Sequence, residues 1–225
     1  MKFLIPGGAG YIGSHMVKYL QDKNHDVVVI DNFSTGHKWA LNDCEIIEVD
    51  LLDKPKLKKA LKRRKFDGVI HFAAKSIVSE SNIYPEKYYK NNVIGSINLL
   101  DEMLRNEIQN IVFSSSAAIF GNPQSKKIQE TDNKNPINPY GKSKLMVEKV
   151  LEDLSHKRGI NAICLRYFNA AGAHGTGCLG EAHEPETHLI PNILNSHLNN
   201  EKLIVFGNDY NTPDGTCIRD YIHVE

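Results

Sequence analysis

Near its N-terminus the chain runs from the apolar stretch Phe3-Leu4-Ile5-Pro6 straight into glycines at positions 7, 10 and 13, and so into an amphipathic segment beginning at Tyr11. A strand that ends in a tight turn and enters a helix gathers backbone N–H groups at one point, and the helix dipole adds positive potential there. Side chains would keep an anion away from that point, so glycine is needed. In this pattern Gly7 permits the turn, Gly10 lets a pyrophosphate approach the backbone, and Gly13 lets the helix pack closely on the sheet. The spacing G-x-x-G-x-x-G is a variant of the dinucleotide fingerprint. A second apolar run, Val27–Ile30, ends in Asp31, about 20 residues further on. An acidic side chain there accepts hydrogen bonds from a ribose 2′-hydroxyl and repels a 2′-phosphate, which favours NAD over NADP. Pro6 has no N–H to give a ladder and is tolerable at the last residue of a strand, where the chain is leaving the sheet.

The same alternation continues downstream. Short β-branched runs recur at DVVVI, EIIEV, FDGVIHFA, NIVFSSS and NAICLRYF, separated by helical patterns, notably Pro85–Arg105 and Pro139–His156. Nearly continuous apolar runs are those of strands buried on both faces. Strand–helix alternation therefore predicts an α/β fold, a parallel sheet covered by helices on both faces. Past about Ala170 the texture changes. AGAHGTGCLGEAHEPETH is rich in Gly, His and Glu and reads as a loop. A helix near Leu189–Leu198 and a strand at Lys202–Phe206 follow, then a turn-rich tail. The expected division is a nucleotide-binding domain, residues 1–170, and the start of a second lobe, residues 171–225.

Charge and cysteine usage narrow the function classes. The chain balances 27 basic against 27 acidic residues, which argues against a dedicated nucleic-acid binder. The basic stretch DKPKLKKALKRRKF reads as a solvated helix seated through Leu57, Ala60 and Leu61. Cys44, Cys164, Cys178 and Cys217 form no C-x-x-C pair and read as reduced thiols of a cytoplasmic protein. No apolar stretch approaches a membrane span, and the first apolar run is too short for a signal peptide. His174, Cys178, Glu181, His183 and His188 lack the close paired spacing of a zinc site, so no metal is expected. His71 reads as a hydrogen-bonded core histidine and Cys164 as a small buried hydrophobe.

A second constellation lies in INPYGKSKLMVEKVL, where Tyr140 and Lys144 stand four apart on a predicted helix and share a face. A phenol with a pKa of about 10 is a poor base at neutral pH; lowering it to about 7 takes roughly 4 kcal/mol. A neighbouring ammonium and the positive ring of an oxidised nicotinamide both favour phenolate. Upstream, VFSSSAAIFG ends the fifth strand and brings Ser116 to the carboxyl edge of the sheet, where ligands bind. From there it can orient a substrate hydroxyl toward Tyr140.

With these residues the chain resembles the extended short-chain dehydrogenase/reductase family, and within it the UDP-hexose 4-epimerases. The resemblance rests on GGAGYIGSH, DNFSTGHK, VIHFAA, YYKNNVIGSINLL, FSSSAAIFG, PYGKSKLMVE, LRYFNAAGAH, GEAHEPETHLIP and FGNDYNTPDGTCIRDYIHV, which span nearly the whole chain. It implies a Rossmann-type doubly wound parallel sheet with an incomplete C-terminal substrate lobe, the family's remaining length supplying a further strand, more of that lobe and another diphosphate-binding Arg. Tyr11 and Ile12 would lie along the pyrophosphate. Asp31 would hold the adenosine ribose, with Asn32, Ser34, Thr35 and Gly36 around it, and Asp50 and Leu51 would flank the adenine. Phe72, Ala73, Ala74, Lys75 and Ser76 would line the cofactor path, with Asn91 hydrogen-bonding near it. Tyr140 would be the base, Lys144 its partner and Ser116 the third catalytic member. Phe168 would pack by the nicotinamide. Asn169, His188, Leu189, Phe206 and Arg219 would contact the uridine diphosphate of the substrate.

The implied reaction is NAD-dependent inversion at C4 of a UDP-hexose through a transient 4-keto sugar, with the cofactor retained. The resemblance also implies a possible homodimer through a helical face of the first domain. The chain departs from the family at Pro6, where Thr is usual, and at Phe120, where Tyr is usual. Three other readings share the cofactor motifs: a nucleotide-sugar dehydratase, an oxidoreductase that releases NADH, and an inactive fragment that only binds NAD or UDP-sugar. The dehydratase needs an acid–base pair just after Ser116, where this chain has Ala117 and Ala118.

Overall fold

A computed structural model describes residues 1–123 and 127–225. The chain divides into two units, Met1–Tyr167 and Phe168–Glu225. In the first, β1 (Lys2–Pro6), β2 (Asp26–Asp31), β3 (Glu45–Glu48), β4 (Gly68–His71), β5 (Asn110–Ser114) and β6 (Asn161–Leu165) form one parallel sheet in the order β3-β2-β1-β4-β5-β6. All six are the strands read from the sequence. The connecting helices are α1 (Tyr11–Asp22), α2 (Lys54–Leu61), α3 (Val78–Ile83), α4 (Pro85–Tyr88), α5 (Gly95–Arg105) and α6 (Pro139–Arg158). The strand order reverses between β1 and β4, and a crevice opens beyond the carboxyl ends at such a point.

Alternation of side chains along each strand supplies two apolar faces. Leu4, Val28, Ile30, Val69, Ile111 and Phe113 pack with Leu57, Leu61, Leu99, Met103, Val147 and Leu151 from α2, α5 and α6. Ile5, Val27 and Val29 pack on the other face with Val17 and Leu20 of α1. Each such buried side chain contributes about 1.5–3 kcal/mol relative to exposure. The basic stretch behaves as expected: Leu57 and Leu61 are fully buried while Lys54, Lys56, Lys58 and Lys59 face solvent. Asp53 caps this helix, accepting the Lys56 N–H at 3.1 Å. On β6, Ala162 and Cys164 join the core, but Ile163 and Leu165, on the opposite face, are 61% and 43% exposed.

The expected helix Pro85–Arg105 is one helical run whose middle, Tyr89–Ile94, has π-type turns. Such a stretch shifts the side chains that follow relative to a regular helix. Helix α6 runs two residues past the expected His156, to Arg158. Gly159 ends it in a left-handed conformation with φ 70°.

The second unit holds β7 (Asn169–Ala171) paired in parallel with β8 (Tyr221–His223), and α7 (Leu189–Leu198). The helix was expected; the strand at Lys202–Phe206 is not formed. A strand needs a ladder partner, and β7 takes the end of the chain instead. Leu203, Ile204, Val205 and Phe206 are left 41–90% exposed. Among the described residues no helix is long and apolar enough to cross a membrane.

Candidate active site

The turn after β1 is built by backbone. Pro6 ends the strand as expected, and its carbonyl accepts the N–H groups of Phe72 and Ala73 at 2.8 and 2.9 Å. Gly7 resumes the ladder, donating to the Ile30 carbonyl at 2.8 Å. Its φ is +79°, and a Cβ there would lie 2.3 Å from the Ala73 nitrogen. A Cβ on Gly13 would lie 2.2 Å from the Gly7 carbonyl oxygen, so α1 packs directly against the turn. Gly10, the N-cap of α1, differs: the nearest atom to a Cβ there is 3.5 Å away. Its side is open, and helix geometry leaves the first-turn N–H groups of Ile12 and Gly13 without an intrahelical carbonyl. The cradle fits a pyrophosphate.

The ends of β2 and β3 meet this turn. Asp31 accepts the Ala9 N–H at 3.0 Å and the Phe33 N–H at 2.9 Å. Burial raises its pKa, while those N–H groups pull it down. Asn32 donates to Asp50 at 2.8 Å and accepts from the Ser34 N–H at 3.0 Å. Gly36 packs on Ala9, and Thr35 is exposed beside it. The Leu51 carbonyl is held by Asn98 at 2.9 Å. The segment after β4 carries Phe72, Ala73, Ala74 and Lys75, partly buried, and exposed Ser76. Buried Asn92 clamps Lys75 on both sides, accepting its N–H at 2.8 Å and donating to its carbonyl at 3.0 Å. Asn91 donates to Asn92 at 3.0 Å.

The reactive trio converges at the end of β5. Ser116 caps the short 3-10 turn Ala117–Phe120, accepting the Ala118 N–H at 3.1 Å. Its hydroxyl also stands near enough to Tyr140 to favour the ionised phenol. Lys144 is 3% exposed. Its Nζ donates to the Ser114 carbonyl at 2.7 Å and lies 5.9 Å from the Tyr140 ring and 5.0 Å from the Phe113 ring. Asn138 caps the helix that carries both, accepting the Gly141 N–H at 2.8 Å.

Without a bound cofactor, burial raises the Tyr140 pKa, and the nearby Ser116 hydroxyl opposes the rise. Burial also pushes Lys144 down to about 7, so its charge cannot be taken for granted at neutral pH. A phenolate beside it would hold the ammonium, and the ammonium would hold the phenolate. His71 is the core histidine expected. Ser96 donates to the Asn92 carbonyl at 2.6 Å, so His71 Nε2–H donates to Ser96 at 2.9 Å. Burial, then the Lys144 charge, push His71 down to about 3, so it stays neutral.

Three supporting groups escaped the sequence reading. Asn92 also donates to Ser143 on α6 at 3.0 Å, tying the cofactor-side loop to the catalytic helix. A second Asn in an otherwise apolar helical run was the available signal. Tyr167 hydrogen-bonds Ser114 through its hydroxyl, and its carbonyl accepts the Ala117 N–H at 3.1 Å. Glu148, 7% exposed, accepts from Ser115 at 2.5 Å and takes a two-pronged contact from Arg166, both at 2.9 Å. This joins β5, β6 and α6 behind the trio, and nothing in its sequence spacing announces it.

The remaining site candidates lie in the second unit. Phe168 is 42% exposed, and Asn169 donates through its side chain to the Asp220 carbonyl at 2.7 Å, next to Arg219. His188 is the N-cap of α7 and Leu189 its first residue. Phe206 stands 90% exposed.

A family model described as the NAD dependent epimerase/dehydratase family matches residues 3–225. A UDP-glucose 4-epimerase from Halalkalibacterium halodurans is 48% identical over 225 residues, covering 100% of this chain and 67% of that protein. The crystal structure of the UDP-glucose 4-epimerase from Brucella ovis in complex with NAD matches with a TM-score of 0.94 at 47% identity, covering 99% of this chain and 69% of that one. That from Bifidobacterium longum in complex with NAD+ and UDP matches with a TM-score of 0.94 at 36% identity, covering 100% and 70%.

Proposed function

Since the chain belongs to the NAD-dependent epimerase/dehydratase family, we propose that it binds NAD along the carboxyl rim of its parallel sheet and inverts C4 of a UDP-hexose. The observation that carries this reading is the convergence of Ser116, Tyr140 and Lys144 at the end of β5, on the same rim as the open turn at Gly10. Relatives named for this reaction, and one solved with NAD and UDP, support it.

The N–H groups at the start of α1 would hold the pyrophosphate. Asp31 would take the adenosine ribose, with Asn32, Ser34, Thr35 and Gly36 beside it and Asp50 and Leu51 at the adenine. Phe72, Ala73, Ala74, Lys75, Ser76 and Asn91 would line the path to the nicotinamide, with Phe168 against it. Bound NAD supplies reversible acceptance of the C4 hydrogen with its electron pair. Tyr140 takes the proton of the 4-hydroxyl, and Lys144 offsets the charge it then carries. Ser116 would orient the hydroxyl toward Tyr140. After the 4-keto sugar has turned over, Tyr140 returns the proton. Asn169, His188, Leu189, Phe206 and Arg219 would hold the uridine diphosphate while the sugar turns. Ala117 and Ala118 offer no acid–base group beside Ser116, which disfavours a dehydratase.

The purified chain, given UDP-galactose and no added NAD, is expected to form UDP-glucose and to release NAD on denaturation. Tyr140→Phe is expected to retain NAD and lose roughly 10²–10⁴-fold in turnover. NAD bound without turnover would leave a binding module; free NADH in solution would make the chain a conventional oxidoreductase.

A further inference from the structure

We propose that Glu181, His183, Glu186 and His188 form a site for a divalent transition-metal ion of the zinc class, placed in the loop that leads into α7. The proposal needs none of the catalytic groups above and shares one residue, His188, with the proposed uridine diphosphate contacts. The loop carries Glu-x-His twice, Glu181-Ala182-His183 and Glu186-Thr187-His188. Linear spacing alone hides their relation, because the chain must fold back between the two pairs.

The fold brings them together. One ligand atom from each of the four residues lies within 4.8 Å of the other three. His188 Nδ1 is 2.7 Å from Glu181 Oε1 and 3.1 Å from Glu186 Oε1. His183 Nδ1 is 3.3 Å from Glu181 Oε1 and 3.7 Å from Glu186 Oε2. The imidazole rings are 4.9 Å apart at 52°. Ligands about 2.0–2.1 Å from a tetrahedral zinc sit about 3.4 Å from one another. The four side chains therefore stand close enough to share one ion once His188 Nδ1 parts from Glu181 Oε1.

Charge points the same way. The carboxyl side chains of Glu181 and Glu186 are 8% and 11% exposed. Two carboxylates withdrawn from water at this separation repel one another. A divalent ion offsets both and uses the imidazoles as neutral donors. The donor set, two nitrogens and two carboxylate oxygens, is one that zinc accepts. Four protein ligands leave no open position, so the ion would be structural. It would pin residues 181–188 ahead of α7, whose N-cap is His188.

The test is elemental analysis of the full, untagged chain after incubation with Zn²⁺ and gel filtration into metal-free buffer. About one zinc per chain is expected to remain, with visible absorption of the tetrahedral type when Co²⁺ replaces it. His183→Ala and Glu186→Gln are each expected to lower retained zinc at least about tenfold. Glu186→Gln keeps the shape of the loop, so a folding failure of His183→Ala, read by circular dichroism, would leave the test intact. Cys178→Ser controls for the exposed thiol, which lies 3.7 Å from His174, and should retain all the zinc. No zinc on the parent chain, equal zinc on both loop variants, or zinc lost in Cys178→Ser would each overturn the proposal.

Discussion

Lys144 and Tyr140 set opposite demands on one small volume, since each is neutral at least cost when buried and the chemistry needs both charged. The demand on the lysine can be measured without substrate. An exposed lysine ionises near 10.5 and Lys144 near 7. Between those values the unfolded chain binds the proton that the folded chain has lost, so stability rises with pH from about 7, by ~1.4 kcal/mol per pH unit. Below about 7 both states are protonated and the full cost of burial is present. Lys144→Met lacks the titrating group. Denaturant melts at pH 6 and pH 9 should therefore show the parent gaining about 3 kcal/mol on the variant at the higher pH. An unchanged difference would show that the ammonium is not desolvated. Tyr140, Lys144 and Ser116 were legible in the sequence because spacing along one helix and position at a strand end are local properties. The sign of the Tyr140 shift was not, because burial comes from the whole domain.

Glycines of one turn have separable tasks at the scale of the β1–α1 element. At Gly13 an added methyl meets the Gly7 carbonyl at 2.2 Å, and at Gly10 it meets nothing closer than 3.5 Å. Gly13→Ala should cost about 1–3 kcal/mol of stability through overpacking and lose NAD as well. Gly10→Ala should keep its melting temperature and still lose NAD, because only a bound pyrophosphate comes near that methyl. Paired thermal melts and measurements of released NAD check both. Equal NAD content in the parent and Gly10→Ala would mean that the turn does not hold the cofactor. Asn92 works between elements, joining the segment after β4 to α6. Asn92→Ala leaves the Lys75 backbone unpaired and should cost about 1–3 kcal/mol. Elements were legible wherever short β-branched runs alternated with helical patterns, the six strands of the sheet above all. Lys202–Phe206 misled because an apolar β-branched run is only half of a strand. The ladder partner is the other half, and β7 pairs with β8. The convergence of Glu181, His183, Glu186 and His188 was likewise invisible until the loop had a shape.

For the whole molecule, the division into Met1–Tyr167 and Phe168–Glu225 assigns every proposed cofactor residue except Phe168 to the first unit. Residues 1–167 produced alone should therefore fold and retain NAD but convert no UDP-galactose. Loss of NAD from that piece would place part of its binding in the second unit. Both long helices also carry exposed apolar side chains, Ile94 and Ile97 on the α4–α5 run and Met146 on α6. The central claim is that hydrogen leaves C4 and returns to the same carbon without exchange. The direct measurement is the conversion of UDP-galactose carrying deuterium at C4, with the product read by mass spectrometry. Full deuterium at C4 of UDP-glucose, with no NADH in solution, is the predicted result; product whose C4 hydrogen has come from the solvent would contradict it.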